Sequence, residues 1–174
     1  MDTVGADRPE LRDGPVPPDA TFPVAAGIFF GLGLGGFFDG IMLHQVLQWH
    51  HMLSSWYPVS TIENLEINTL WDGIFHSATY IFVLIGLFLL WRTAHRRHLY
   101  WSSKLLIGTM LLGFGLFNFI EGIVNHHLLG IHHVNETVPR DQWIYWDIGF
   151  TLSGAVMIVA GWLIMRWGKR ETPQ

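Results

Sequence analysis

The sequence predicts an all-α integral membrane four-helix bundle built from two parallel two-helix repeats. Composition is the first observation: 50% of the 174 residues are hydrophobic and only 14% are charged, a balance that favours a bilayer. The second is four apolar stretches near the roughly 20 residues that a helix needs to cross a hydrocarbon core of about 30 Å. They lie at 24–47, 70–91, 105–127 and 143–167. The third is a set of residues that match between the two halves of the chain.

The chemistry of the membrane supports helices for all four stretches. Each stretch is edged by Trp or Tyr, the residues that anchor at the two membrane interfaces. Lipid offers no partner for unpaired backbone N–H and C=O groups, so a helix, which pairs them internally, is the expected spanning structure.

Polar segments flank the predicted transmembrane domain, residues 24–168. Residues 1–23 hold five prolines among acids and arginines, and they have too little apolar surface to build a core. We therefore expect a disordered cytoplasmic tail. It lacks the basic and apolar regions of a cleaved signal peptide, so the first helix is expected to act as the targeting signal. Residues 169–174 form a second expected cytoplasmic tail.

The positions of Lys and Arg predict the orientation, because short cationic loops stay in the cytoplasm. The loop between the second and third helices and the segment after the fourth are cationic, whereas residues 48–69 and 128–142 together hold one cation, Arg140. We expect a multi-pass protein of the bacterial inner (plasma) membrane with both termini cytoplasmic. The lipid bilayer is then the main partner, nucleic acid is not expected, and a homo-oligomer is left open.

An internal repeat appears when the first helix is shifted onto the third by 82 residues. Both then read acid-Gly-Ile-x-x-His-x-x-Leu-x-x-His-His, from Asp39 and from Glu121. A shift of 75 residues also aligns Trp71-Asp72 with Trp146-Asp147. Parallel repeats are related by a pseudo-twofold axis along the membrane normal. We therefore expect the equivalent polar groups to meet near that axis, on the outer side.

Carboxylates in and near the spans are the costliest groups in the sequence. Asp39 and Glu121 fall in the outer third of the bilayer, where an ionised acid costs roughly 2.5–3.5 kcal/mol unless it is compensated. A protonated carboxyl bonded to a neighbouring helix is one explanation, and pairing with a cation or metal is the other. Asp72 and His76 are four apart and share a helix face. Asp72 and Asp147 are expected in the first turn of their helices, where the dipole favours an acid.

Histidine spacing leaves the geometry of the site open. His44 and His51 are seven apart, as are His126 and His133, so each pair would share one stripe if its helix continued past the membrane edge. The acid and the first histidine of each motif, Asp39 and His44 for example, are five apart and therefore about 140° round an α-helix. Either a local bulge aims both at one ion, or the acid holds a ligating histidine from behind.

The ligand chemistry predicts a metal site. No cysteine occurs, which excludes disulfides, thiolate ligands and c-type haem attachment. Nitrogen and oxygen donors suit iron, copper, zinc or manganese, and the imidazole-rich set favours copper or iron, with zinc as a further candidate. Two histidines in the cytoplasmic loop, His95 and His98, are interpreted as ordinary surface residues. The predicted metal ligands are Asp39, His44, His50, His51, Asp72, His76, Glu121, His126, His127, His132, His133 and Asp147.

Three segments carry a family likeness. They read Phe-Phe-Asp-Gly-Ile-x-x-His-Gln at 37–45, Trp-Asp-Gly-x-Phe-His at 71–76 and acid-Gly-x-x-x-His-His-x-Leu-x-Ile-His-His at 121–133. The chain, from residue 24 onward, resembles a bacterial family of short four-helix membrane proteins classed as a domain of unknown function. The resemblance implies a membrane location and a loose association with proteins that assemble respiratory cytochrome oxidases. It implies no activity.

Four functional hypotheses follow from these residues. The first is a non-haem metal centre at the outer face, possessing one or several ions, that performs redox chemistry on a small or lipophilic substrate. The second is a carrier or assembly factor that delivers copper or zinc to a respiratory oxidase. The third is a b-type haem protein, with haem b clamped by His44 and His126. The fourth is a purely structural subunit.

Overall fold

The computed structural model describes residues 21–95 and 99–171, and in these ranges it is all-helical, with no strand. The predicted fold class, a four-helix membrane bundle, is confirmed, because each of the four helices is long and apolar enough to span a membrane. Most of the predicted N-terminal tail (1–20) and the last residues (172–174) lie outside the described residues, as does His98. The helices are α1 (Val24–Phe38), α2 (Ile62–Ala94), α3 (Ser103–Glu121) and α4 (Arg140–Arg170).

Two of these helices continue directly into π-helix. The first π segment (Asp39–Val46) extends α1, and the second π segment (Gly122–Leu129) extends α3. A residue in the left-handed region follows each segment: Gln48, with φ 51°, lies two residues after Val46, and Gly130, with φ 55°, directly follows Leu129. Glycine adopts this conformation at little cost, so the strain falls on Gln48. The chain turns here from each helix into the loop that covers the bundle end.

The helices α2 and α4 begin earlier than hydropathy predicts, at Ile62 and Arg140 rather than at 70 and 143. Thr61 caps α2 by accepting from the Asn64 amide at 3.2 Å. Buried Asn68 donates to the carbonyl of Tyr57 at 2.8 Å, which ties the polar first turns to the loop. The prediction that Asp72 and Asp147 lie in a first turn is therefore wrong. Both lie well inside their helices, so another interaction must stabilise them.

Glycine-lined crossings set the order of the helices, which is α2, α1, α3, α4. A Cβ added to Gly31 of α1 would lie 2.1 Å from the Met110 carbonyl of α3, and one added to Gly154 of α4 would lie 2.6 Å from the Phe119 amide. Such small residues let backbones approach in membranes, where packing rather than hydrophobicity drives association. Among the described residues, no Cα atom of α1 lies within 8 Å of one of α4, and a groove lies between the two helices.

The two loops that follow the π segments pack on each other over one end of the bundle. The Ser55 amide donates to the Ile131 carbonyl at 3.0 Å, and the Glu136 amide donates to the Trp49 carbonyl at 2.9 Å. Ser55 Oγ also donates to Glu136 Oε1 at 2.5 Å. These bonds hold each loop in place against the histidines and carboxylates below.

Candidate metal centre

The π segments bring the acid and the first histidine of each motif together. Asp39 Oδ2 lies 3.2 Å from His44 Nε2, and Glu121 Oε1 lies 3.2 Å from His126 Nε2. An α-helix would place residues five apart on different faces, whereas i→i+5 bonding brings them onto one face. Of the two alternatives that the spacing left open, the structure adopts the local bulge.

Glycines after the two acids provide room for the neighbouring helix. A Cβ on Gly40 would lie 2.5 Å from His76 Nε2, and one on Gly122 would lie 2.4 Å from Thr151 Oγ1. Both glycines therefore serve close packing as well as the wider helix. They let α2 and α4 lie against the π segments at the level of the carboxylates.

Four imidazoles meet between the two carboxylates. The ring centroids of His44 and His50 are 4.4 Å apart, those of His50 and His132 are 4.5 Å apart, and those of His126 and His132 are 5.0 Å apart. All four residues are at most 3% exposed. Two overlapping triads have ligand atoms within 4.8 Å of one another, and they are His44, His50 and His132, and Glu121, His126 and His132. Together with Asp39, these residues are called the inner cluster below.

Backbone carbonyls fix the tautomer of two inner imidazoles. His50 Nδ1 donates to the Val134 carbonyl at 2.9 Å, and His132 Nδ1 donates to the Met52 carbonyl at 2.9 Å. A carbonyl oxygen can only accept, so each Nδ1 carries a proton. In the neutral ring the Nε2 is then a bare lone pair, which is the form that binds a metal.

Several polar atoms of the inner cluster are buried without a hydrogen-bond partner. Buried atoms without a hydrogen-bond partner include Asp39 Oδ1, Glu121 Oε2, and the Nε2 atoms of His44, His50 and His126. Burial, together with the imidazoles of His132 and His44, lowers the pKa of His50 well below its ordinary value of 6.5. His50 is therefore neutral at neutral pH. A buried unpaired polar atom costs about 1–3 kcal/mol, so this convergence needs protons or a cation.

Asp72 and Asp147 support the inner cluster from behind. Asp72 Oδ1 accepts from His44 Nδ1 at 2.8 Å and from the Met52 amide at 2.8 Å, and its Oδ2 accepts from His51 Nδ1 at 2.7 Å. Asp147 Oδ1 likewise accepts from the Val134 amide at 2.9 Å. These bonds, rather than a helix dipole, stabilise the two carboxylates. Asp72 thereby orients His44 without facing the centre of the cluster.

His51 and His133 lie in the loops, because the helices end before them. His133 Nδ1 donates to Asp147 Oδ2 at 2.6 Å, the counterpart of the bond from His51 to Asp72. Each histidine is thus partly buried at the rim. They therefore share no helix face with His44 and His126. The loops turn back so that His51 contacts Asp72, as His44 does, and His133 contacts Asp147, the carboxylate nearest to His126 Nδ1.

His76 and His127 lie outside the inner cluster. His76 Nδ1 donates to the backbone carbonyl of Asp72 at 2.8 Å and not to its carboxylate, while its Nε2 is buried without a partner beside Gly40. His127 is exposed. It lines an open cavity of about 440 Å³ that also borders His126 and Arg140, so the cavity reaches from the surface to the inner cluster.

Sequence reasoning missed the backbone groups that hold the site. The carbonyls of Met52 and Val134 anchor imidazoles, and their amides bind Asp72 and Asp147. Met52 and Val134 directly follow the two His-His pairs and are 82 residues apart, which is the signal that could have found them. Their bonds also recur at this offset, since each loop anchors a histidine of the other.

Comparisons with known proteins locate the chain in one family. No curated protein and no solved structure matches it. The model of a family described as "Predicted membrane protein (DUF2243)" matches residues 26–168, the whole bundle with both π segments. The chain therefore belongs to this family of membrane proteins.

Proposed function

We propose that the chain is a membrane metalloprotein whose inner cluster holds transition metal ions and carries out redox chemistry on a small or lipophilic substrate. One observation carries the proposal: nitrogen atoms of buried imidazoles and oxygen atoms of buried carboxylates converge, and several of them have no hydrogen-bond partner among the described residues. A metal cation is the partner that such a set of nitrogen and oxygen donors binds.

The distances inside the cluster suit ligands of a common ion. Glu121 Oε1 lies 2.9 Å from His132 Nε2 and 3.2 Å from His126 Nε2. Asp39 lies 3.2 Å from His44 Nε2 and 4.0 Å from His50 Nε2. Ligands bound at about 2.0–2.1 Å lie roughly 3–3.4 Å apart when they are neighbours on one ion. The ligand atoms therefore need little movement to close on a metal.

Each half of the chain offers one carboxylate and two imidazoles, which supports two adjacent ions. The contacts that recur at the 82-residue offset also support an internal repeat with its axis through the cluster. Thiolate ligands are absent because the chain has no cysteine. Imidazole with carboxylate suits iron or copper(II), with zinc as the redox-inactive alternative. By the cation distribution, the centre lies toward the periplasm or exterior of a bacterial inner membrane.

A metal carrier or assembly factor is the second candidate. The open cavity of about 440 Å³ beside His126 favours it, because His127 and His133 on its wall could exchange metal with a partner such as a respiratory oxidase. The burial of the inner cluster favours a resident centre instead. A carrier should lose its metal quickly to a mild chelator, whereas a resident centre should keep it.

Haem b fits the geometry poorly. A haem clamped by His44 and His126 needs clear space around its iron, but the ring of His50 lies 4.4 Å from that of His44 and the ring of His132 lies 5.0 Å from that of His126. Both rings would collide with a porphyrin. A visible spectrum of the purified protein without a Soret band is therefore expected.

Elemental analysis of protein purified in detergent from its native membrane tests the proposal. We expect about two equivalents of iron or copper, and at most half of that in His132→Gln, because His132 belongs to both triads. His95→Gln, on the exposed end of α2, is the matched control and should load like the unaltered protein. Unaltered protein isolated without stoichiometric metal would refute the metal centre.

A further inference from the structure

A second feature, separate from the metal ligands, is a large apolar groove between α1 and α4. Its volume is about 770 Å³, and its walls are mainly apolar and rich in aromatic rings, with Phe38, Phe114, Trp146 and Phe150 among them. Sites for small molecules enclose about 300–1,000 Å³ and are mainly apolar with a few polar groups. The groove has these properties, and most of its wall belongs to the membrane-spanning helices.

The groove shares a wall with the metal centre. Phe150, on that wall, has its ring centroid 5.4 Å from that of His126. Leu43, also on the wall, directly precedes His44. The third shared residue is Val134, whose carbonyl accepts from His50. A molecule in the groove is therefore separated from the inner cluster by the thickness of one side chain.

One polar side chain in the groove wall lacks a donor. Asn118 is 5% exposed, and its Oδ1 is buried without a hydrogen-bond partner. Asn118 Nδ2 donates to Ser153 Oγ at 3.4 Å, and Ser153 Oγ donates its hydrogen to the Phe150 carbonyl at 2.6 Å. Because Ser153 has no second hydrogen, it can only accept from Asn118, which fixes the amide orientation. The unpaired atom is thus an acceptor, and its missing partner is an O–H or N–H group.

A helical glycine leaves the groove open. A Cβ added to Gly149 of α4 would meet nothing within 4 Å, although glycine inside a helix costs about 1 kcal/mol relative to alanine. At Gly154, farther along α4, close contact with α3 explains the glycine. At Gly149 no protein group does, and the missing side chain keeps this part of the groove wall open.

We propose that the groove binds a membrane-soluble aromatic alcohol of the hydroquinone class, with its hydroxyl donating to Asn118 Oδ1. The aromatic walls suit a flat ring, since aromatic pairs gain from offset or edge-on packing. The unpaired acceptor selects the hydroxyl form over an ether or a quinone. The proposed binding of the hydroquinone depends only on the groove and not on a metal. That the bound molecule serves as the substrate of the metal centre rests on the proposed function.

Equilibrium binding of an alkylated hydroquinone, kept anaerobic, to the protein as purified in detergent tests the inference, with its dimethyl ether as the matched probe. We expect saturable binding of the hydroquinone about tenfold tighter than that of the ether, the loss of one hydrogen bond. Asn118→Leu should bring the hydroquinone down to the affinity of the ether. Gly149→Phe should abolish binding of both, and Gly73→Phe, equally free of neighbours, should bind like the unaltered protein.

Three outcomes would overturn the inference. They are equal affinities for hydroquinone and ether, undiminished binding to Gly149→Phe, and a copurified phospholipid that neither probe displaces. None of them concerns metal content, which is measured on the same samples. A protein that holds metal but fails these tests keeps the metal centre and loses the hydroquinone site. A protein that binds the probe but holds no metal would support the hydroquinone site and refute the metal centre.

Discussion

Replacing Asp72 by asparagine should weaken metal binding without removing an inner ligand. Asp72 accepts three hydrogen bonds, two of them from the imidazoles of His44 and His51 at 2.8 and 2.7 Å. Asparagine has the same shape and can keep the bonds to Oδ1. Its amide group, however, points an N–H at the N–H of His51, and the negative charge behind His44 is lost.

The magnitude follows from the bonds that change. A hydrogen bond to a charged group contributes about 1.5–3 kcal/mol, and loss of a group that orients a ligating histidine lowers metal affinity about 10- to 100-fold. We therefore expect a loss of about 1.4–2.8 kcal/mol in Asp72→Asn. Asp147→Asn should lie at the lower end, because Asp147 Oδ1 is 3.7 Å from His126 Nδ1, against 2.8 Å for the pair of Asp72 and His44.

Competition with a chelator of known affinity measures the metal affinity, and far-UV circular dichroism confirms that the helices persist. Asp141→Asn, the same change in the exposed first turn of α4, is the control. An unchanged affinity in folded Asp72→Asn would refute the idea that this carboxylate orients a ligand. An equal loss in Asp141→Asn would show a general effect of charge.

Three further predictions concern packing and metal. Gly40→Ala should lower metal occupancy, measured by elemental analysis, because its Cβ would lie 2.5 Å from His76 Nε2 and push α2 away; Gly73→Ala, with nothing within 4 Å, should leave occupancy unchanged. Gly31→Ala should destabilise the bundle by about 1–3 kcal/mol, because its Cβ would lie 2.1 Å from the Met110 carbonyl. A lower Tm in detergent measures this, and an unchanged Tm would contradict the close crossing of α1 and α3. Chelation should also lower the Tm of the unaltered protein, and added metal should restore it, since an ion that binds only the folded state stabilises it.

The class of fold, and several of the residues that the structure brings together in the inner cluster, could be predicted from the sequence because they depend on local signals. Apolar stretches of sufficient length define spans, and the acid-Gly spacing singled out Asp39 and Glu121. Hydropathy failed at the start of α2, where polar residues continue the helix beyond the apolar stretch. There Thr61 caps the helix and Asn68 binds the loop, interactions that no hydropathy window measures.

The arrangement inside the site could not be predicted, because it depends on the paths of the loops. Sequence periodicity could relate His51 to His44 only by assuming that the first helix continues past Leu47. In the structure the loop turns back and brings His50 into the inner cluster. Backbone carbonyls are present at every residue, so no residue type identifies the two that accept from an imidazole. Their selection of the histidine tautomer, decisive for ligand chemistry, is therefore visible only in three dimensions.

The two halves of the inner cluster differ in how firmly their first histidines are held. In the first half, His44 Nδ1 is held by Asp72 at 2.8 Å, a closed arrangement. In the second half, His126 stands 3.7 Å from Asp147 and borders the open cavity. Under the proposed function, ligands with unequal support would give two neighbouring metal positions unequal lability. An ion held by the first half would then be retained, while one held by the second half, through His126, would exchange ligands with molecules from outside.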